Sequence, residues 1–273
     1  MEIAPGVHRI DNITGSNAVL LVDQQMALVD TGVPGNTEAI VSYIKKIGRS
    51  PTDLRWIVLS HFHFDHSGSA AELSSHTGAR IVAHKSEIEP GPDGVPVLRK
   101  GNEGEPPPFW YRWVSRGGGQ RPQWRETRFH DTPVHETVEN GDVLPVLGGL
   151  RILHTPGHTP GSICPMLEGP RVLFLGDSVL NNVDRLSRPL MWDRGHRRQL
   201  DASLTGLREL EAKVAMFGHG PPLTESVMEK VRGMTDRPYD LPTWKIALKN
   251  WQTLRRWRQR TRRPGHWEGG AKP

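Results

Sequence analysis

One cysteine, Cys164, stands in 273 residues. That scarcity excludes an intramolecular disulfide framework and any zinc site built on several thiolates, and it points to a reducing compartment. No stretch approaches the roughly 20 consecutive apolar residues that a membrane span needs. The opening Met1-Glu2-Ile3-Ala4-Pro5-Gly6-Val7-His8 has neither the basic region nor the apolar run of a secretion signal. The expectation is a soluble, cytoplasmic protein with no membrane partner. No tandem repeat is visible, and phenols are restricted to three tyrosines, Tyr43, Tyr111 and Tyr239.

A hydrophobic share of 36% and a charged share of 24% are ordinary for a globular chain with a sizeable core. The net charge of +5 is unevenly spread. Residues 244–273 carry nine Lys/Arg against one Glu, leaving residues 1–243 with 26 basic and 29 acidic groups, a balance of −3. A pI near 9.5 would invite a nucleic-acid reading, yet only the tail is basic. The division expected is a catalytic domain over 1–235, with a Pro-, Gly- and Trp-rich insert at 87–135, and a basic helical tail at 236–273.

Short β-like runs at 7–10, 18–22 and 26–29 suggest an antiparallel meander. A helix is predicted over 37–47, with Ile40, Ile44 and Ile47 on one face, then a buried strand at 56–59, a helix at 69–76 and a strand at 80–83. The second half repeats the logic, with strands at 143–147, 150–153, 162–167 and 172–175, a helix at 199–210 and a strand at 214–217. Two strand-rich halves, each followed by helices, imply an α/β sandwich with its helices outside. Between 87 and 135 the periodicity breaks down around Trp110, Trp113 and Trp124, a stretch suited to a lid over a site or to a pinned surface loop.

The thirteen histidines are the feature that carries chemistry. His61-Phe62-His63-Phe64-Asp65-His66 lies between a strand and a helix, where strand-to-helix loops converge side chains at a sheet edge. Three imidazoles and a carboxylate packed this closely are costly unless something binds them, and they are the donors of borderline divalent metals: zinc first, with manganese, iron and cobalt as competitors. His154-Thr155-Pro156-Gly157-His158-Thr159-Pro160-Gly161-Ser162, Gly176-Asp177-Ser178 and Gly218-His219-Gly220-Pro221 each follow a strand. Four strand-terminal loops delivering His or Asp are what a metal site at one edge of a sandwich requires.

This order of motifs, with Asp30-Thr31-Gly32 before it, resembles the metallo-β-lactamase fold superfamily over roughly the first 235 residues. The resemblance implies an αββα sandwich and a dinuclear centre. His61, His63 and His158 would hold one divalent metal ion, Asp65, His66 and His219 the other, and Asp177 would bridge them. It implies a hydroxide shared by the two metals as nucleophile, with Asp65 carrying a proton to the leaving group. His154 is then read as a supporting residue.

A bridging Asp177, with no cysteine in the metal loops, is unlike the β-lactamases proper. The chain is more similar to the glyoxalase II, lactonase and RNase Z side. Gly218-His219-Gly220-Pro221-Pro222 departs from the glyoxalase II segment, and Leu180 stands where quorum-quenching lactonases place a tyrosine, which leaves Tyr111 of the insert as the available phenol. The function expected is hydrolysis of a carboxyl ester, lactone or thioester in a small-molecule substrate, with a homodimer left open. Two alternatives stand beside it: a phosphodiesterase or ribonuclease meeting nucleic acid through Arg255, Arg256, Arg258, Arg260, Arg262 and Arg263, and a mononuclear-iron persulfide dioxygenase. In the tail, Trp244, Leu248, Trp251 and Leu254 recur at helical spacing.

Overall fold

Val19, Leu20 and Leu21 are all buried, yet they face different neighbours: Val19 and Leu21 join one apolar cluster and Leu20 another. Successive side chains on a strand point to opposite faces, so a run with no polar member means that both faces of its sheet are covered. In the computed structural model, which describes residues 1–100, 131–182, 185–191, 193–237 and 239, this pattern recurs across two facing sheets.

The first sheet contains β1 (Glu2–Ala4), β2 (Val7–Arg9), β3 (Val19–Leu21), β4 (Met26–Val29), β5 (Leu54–Val58), β6 (Arg80–His84) and β9 (Glu136–Val138), in that spatial order. Its first four strands form the antiparallel meander, and β4, β5, β6 and β9 then run parallel. The hairpin of β7 (Ile88–Pro90) and β8 (Pro96–Leu98) stands apart from it. The second sheet is ordered β10 (Val143–Leu144), β11 (Leu150–Arg151), β12 (Met166–Leu167), β13 (Val172–Phe174) and β16 (Val214–Met216), antiparallel except for the parallel pair β13 and β16. A second small hairpin joins β14 (Leu180–Asn181) to β15 (Leu186–Ser187).

Three apolar clusters hold these layers. Val19, Trp56 and Val58 of the first sheet meet Leu167, Phe174 and Met216 of the second. Leu20, Leu28 and Ile57 on the outer face pack with Ile40 and Ile44 of α1 (Thr37–Lys46) and Leu73 of α3 (Ala70–Thr77), while the single turn α2 (Phe64–Ser67) lies just before α3. Leu173 and Ala215 on the other outer face pack with Leu200 and Leu204 of α4 (Arg194–Gly206) and Val231 and Met234 of α5 (Val227–Thr235). The layering is therefore αββα, and both expected halves are present.

Several boundaries differ from the sequence expectation. The helix expected at 199–210 begins at Arg194, because the Asp193 side chain accepts the His196 backbone N–H at 2.7 Å and caps a polar first turn that shows no apolar period. The strand expected over 162–167 pairs regularly only at Met166–Leu167, beyond Pro165, which has no N–H to donate. The stretch read as aperiodic from residue 87 starts with the ordered β7–β8 hairpin, closed by the turn Pro92–Gly94. Residues 101–130, with Trp110, Tyr111, Trp113 and Trp124, and residues 240–273, with the arginine run and Trp244, Leu248, Trp251 and Leu254, lie outside the described residues. Among the described residues no helix is long and apolar enough to cross a membrane.

Leu28 is 0% exposed between the first sheet and its helices. Leu28→Ala is expected to lower unfolding stability by about 2–5 kcal/mol, seen as a lower denaturant midpoint at unchanged slope.

Candidate metal centre

Parallel pairing aligns the strand ends. Val29 of β4 faces Val58 of β5, so Asp30 and Ser60-His61 leave the first sheet side by side. Phe174 of β13 faces Met216 of β16, which brings Asp177 and His219 off the second. His158 comes from the loop after β11. The turn before β3 ties the two sheets' loops together: Ser16 N–H donates to Asp65 O at 2.9 Å and Asn17 N–H to Gly218 O at 2.7 Å. The Asn17 amide adds bonds to Phe217 O and Gly220 O, at 2.9 and 2.8 Å.

The structure brings all seven expected residues together, in three overlapping groups: His61, His63 and His158; His61, His66 and Asp177; and Asp65, His66 and His219. In the first group His63 Nδ1 lies 3.0 Å from His61 Nε2 and 3.1 Å from His158 Nε2. Two nitrogens bound to one tetrahedral zinc stand ~3.4 Å apart, so this set converges on a cation-sized centre. Asp177 reaches both sides. Its Oδ1 is 3.3 Å from His66 Nε2 and 3.6 Å from His219 Nε2, and its Oδ2 is 3.7 Å from His158 Nε2. Asp65 Oδ2 completes the far side, 3.3 Å from His219 Nε2.

Two observations indicate that the donors fit a divalent ion. His66 Nε2 and Asp177 Oδ1 are buried in the interior of the cluster and, although 3.3 Å apart, are not aligned for a hydrogen bond to each other or to any other group. Gly218 also leaves them no room for an additional side chain, since a Cβ there would fall 2.3 Å from Asp177 Oδ1 and 2.5 Å from His66 Cε1. Buried polar atoms left unmatched at such density are the donor set of an ion.

The protonation states divide the histidines. Burial, followed by the neighbouring imidazoles, drives His61 well below the ordinary value, and burial pushes His158 down to about 4. Burial acts the same way on His66, but the Asp177 and Asp30 carboxylates outweigh it and hold that imidazole well above the ordinary value. His219 is raised against its burial by Asp177 and Asp65. Asp177, despite burial, is held well below the usual carboxylate range by His66 and His219, and Asp65, against its burial, is lowered mainly by His219.

Two supporting residues were missed as such in the sequence. Asp30 has φ 58°, the left-handed region that Asp tolerates better than most residues, and its carboxylate accepts Ser60 N–H at 2.8 Å, Ser60 Oγ–H at 2.7 Å and His66 Nδ1–H at 2.8 Å. His61 Nδ1 is 3.0 Å from Ser60 Oγ. With the Ser60 hydroxyl given to Asp30, that oxygen accepts from His61, so one carboxylate turns the Nε2 atoms of His61 and His66 inward. The available signal was a polar residue at the end of β4, at the level of the other strand ends. His154 lies outside the three groups, stacked on His84 with ring centroids 3.8 Å apart and its Nε2 2.9 Å from Pro160 O.

Comparison with known proteins agrees with this architecture. The family model described as the metallo-beta-lactamase superfamily matches residues 12–219. The probable metallo-hydrolase YflN of Bacillus subtilis (strain 168) is 26% identical over 247 residues, covering 82% of this chain and 87% of that protein. The acyl-coenzyme A thioesterase MBLAC2 of Homo sapiens is 33% identical over 129 residues, 45% of this chain but only 40% of that protein. Among solved structures, the metallo-beta-lactamase family protein TTHA1429 from Thermus thermophilus superposes with a TM-score of 0.61 at 23% identity, covering 95% of this chain and 83% of its own, a likeness of fold.

The divided histidines fix the pH dependence of the metal-free protein. Below about pH 6.5 the unfolded chain takes up protons that native His61 and His158 refuse, as do His84, His8 and His135 outside the cluster, so stability falls as pH drops toward about 4. Above about 6.5 it releases protons that native His66 and His219 keep, so stability also falls as pH rises through their raised values. Thermal midpoints of chelated protein across pH are expected to peak near about 6.5; a steady rise through that region would contradict the assignment.

Proposed function

The chain belongs to the metallo-beta-lactamase superfamily, and from that premise we propose that it is a dinuclear metal-dependent hydrolase of a small carboxyl ester, lactone or thioester. The observation that carries the reading is the placement of Asp177, one oxygen toward His66 and His219 and the other toward His158. One carboxylate shared by two groups of donors is the arrangement of a bridged pair. His61, His63 and His158 would hold one ion and Asp65, His66 and His219 the other, with zinc the first choice for imidazole and carboxylate donors and manganese, iron or cobalt the competitors. The chemistry such ions would supply when bound is a water of lowered pKa and polarisation of an acyl oxygen.

The chain's own residues supply the rest. Asp65, lowered below its ordinary value and half-buried beside His219, is ionised at neutral pH; it takes up the proton that the attacking water gives up and passes it to the leaving oxygen or sulfur. Asp30 and Ser60 hold the histidine rings in the tautomers that leave Nε2 free of a proton when an ion is present. The thioesterase name of one relative supports acyl over phosphoryl transfer. Against a mononuclear-iron dioxygenase stands the complete second group, Asp65, His66 and His219.

Metal analysis is expected to give two divalent ions per chain, with turnover of esters, lactones or thioesters exceeding that of a phosphodiester. One tightly held iron, or cleavage of phosphodiesters alone, would overturn the reading. Asp65→Asn is expected to stay folded and lose about 10²–10⁴-fold in kcat at saturating metal; unchanged turnover would remove Asp65 from proton transfer.

All seven proposed ligands lie between residues 61 and 219, and residues 1–243 carry net −3. Deleting residues 255–273 is therefore expected to leave small-ester hydrolysis intact. Tail-dependent RNA cleavage, with no activity on any ester or lactone, would favour the nuclease instead.

A further inference from the structure

Glu87 is a carboxylate at 0% exposure in the turn before the β7–β8 hairpin, and neither the motif pattern nor the reaction above uses it. Its Oε2 accepts the backbone N–H of Phe62 at 2.6 Å. Its Oε1 accepts the backbone N–H of Gly161 at 2.6 Å and the Thr159 hydroxyl at 2.8 Å. Phe62 is the residue between His61 and His63, and Thr159 follows His158. The donors on this one side chain therefore neighbour all three members of the first group in sequence.

We infer that Glu87 is a positioning residue that sets the spacing of the His61, His63 and His158 donors, an inference that rests on the dinuclear reading above. Peptide planes are rigid, so a displaced Phe62 or Thr159 carries the adjoining histidine with it. The contact is also closely fitted: a Cβ at Gly161 would fall 2.6 Å from Glu87 Cγ and 2.7 Å from its Oε1, so residue 161 has to be glycine for the loop to come this near. The second group has a different support, since its His66 is oriented by Asp30. The backbone of Glu87 joins this support to the hairpin, its carbonyl accepting Arg99 N–H at 2.9 Å.

An ionised carboxylate only accepts, and it serves backbone donors on both oxygens. Gln at the same place has one accepting oxygen. Whichever way the amide turns, its NH₂ faces the N–H of Phe62 or of Gly161, so Glu87→Gln keeps the shape and spoils one loop contact.

The test is Zn²⁺ titration of the full chain against a chelating indicator, comparing the unaltered protein, Glu87→Gln and His158→Ala, the last of which identifies the step belonging to the first group. Glu87→Gln is expected to weaken that step about 10–100-fold, the range for partners of metal ligands, and to leave the other within about threefold. Two unchanged steps, or two weakened equally, would overturn the inference, because a general structural role does not select one site. Fewer than two steps in the unaltered protein would overturn the dinuclear reading itself. Should Glu87→Gln fail to fold, Thr159→Val removes the hydroxyl donor and leaves the backbone N–H groups of Phe62 and Gly161. A selective weakening of the first step then supports the role of Glu87, and an unchanged first step overturns it.

Discussion

Asp177 places a carboxylate, with its side chain only 12% exposed, among three imidazoles drawn from two sheets and three loops. A buried anion is costly unless positive charge or donors surround it. In the metal-free chain His66 and His219 meet that demand by keeping protons, and a bound cation would meet it in their place. Much of the surrounding architecture serves this one constraint. Gly218 leaves room for the carboxylate, Asp30 orients the histidine beside it, and Asn17 holds the His219 loop by its backbone carbonyls.

The fold makes such a concentration of polar groups possible by confining it to strand ends. Along β4, β13 and β16, and along β5 from Trp56 to Val58, alternate side chains enter the inter-sheet cluster and the others an outer cluster, and the single polar residue on these strands, Arg55, is exposed near the start of β5. The chain turns polar where the strands stop: Asp30, Ser60, Asp177 and His219. Apolar burial and site chemistry thus use the same residue runs in succession, and the parallel register of β4 with β5 and of β13 with β16 converts sequence position directly into spatial proximity.

That succession explains what could be read from the sequence. The layered sandwich was legible because apolar runs of strand length alternate with helical periods. The seven clustered residues were legible because each stands directly after such a run or in a histidine-rich loop. Asp30 showed only as part of a motif, and Glu87 looked like the first residue of an aperiodic insert; their roles arise from contacts between loops 25 or more positions apart, which no local pattern encodes. The β7–β8 hairpin was hidden by its prolines, although Pro92-Asp93-Gly94 is itself a turn signal. The early start of α4 was hidden because a cap, and no apolar stripe, begins it.

The two donor groups are not equivalent, and the difference follows from their neighbours. His61 and His158 are pressed toward neutrality by burial and by other imidazoles, and no carboxylate belongs to their group with His63. The other group contains Asp65, and Asp177 leans toward it through its closer oxygen, at 3.3 Å from His66 against 3.7 Å from His158 on the other side. Imidazoles of lowered pKa hold protons weakly, so His61 and His158 would offer a cation lone pairs already free. At the second group the Asp177 and Asp65 carboxylates favour the protonated imidazoles of His66 and His219, and they would equally favour a cation held there. On the proposed reading the first position is therefore built of imidazoles alone and the second is carboxylate-rich, and Asp65, the residue assigned to move the proton, stands on the carboxylate-rich side.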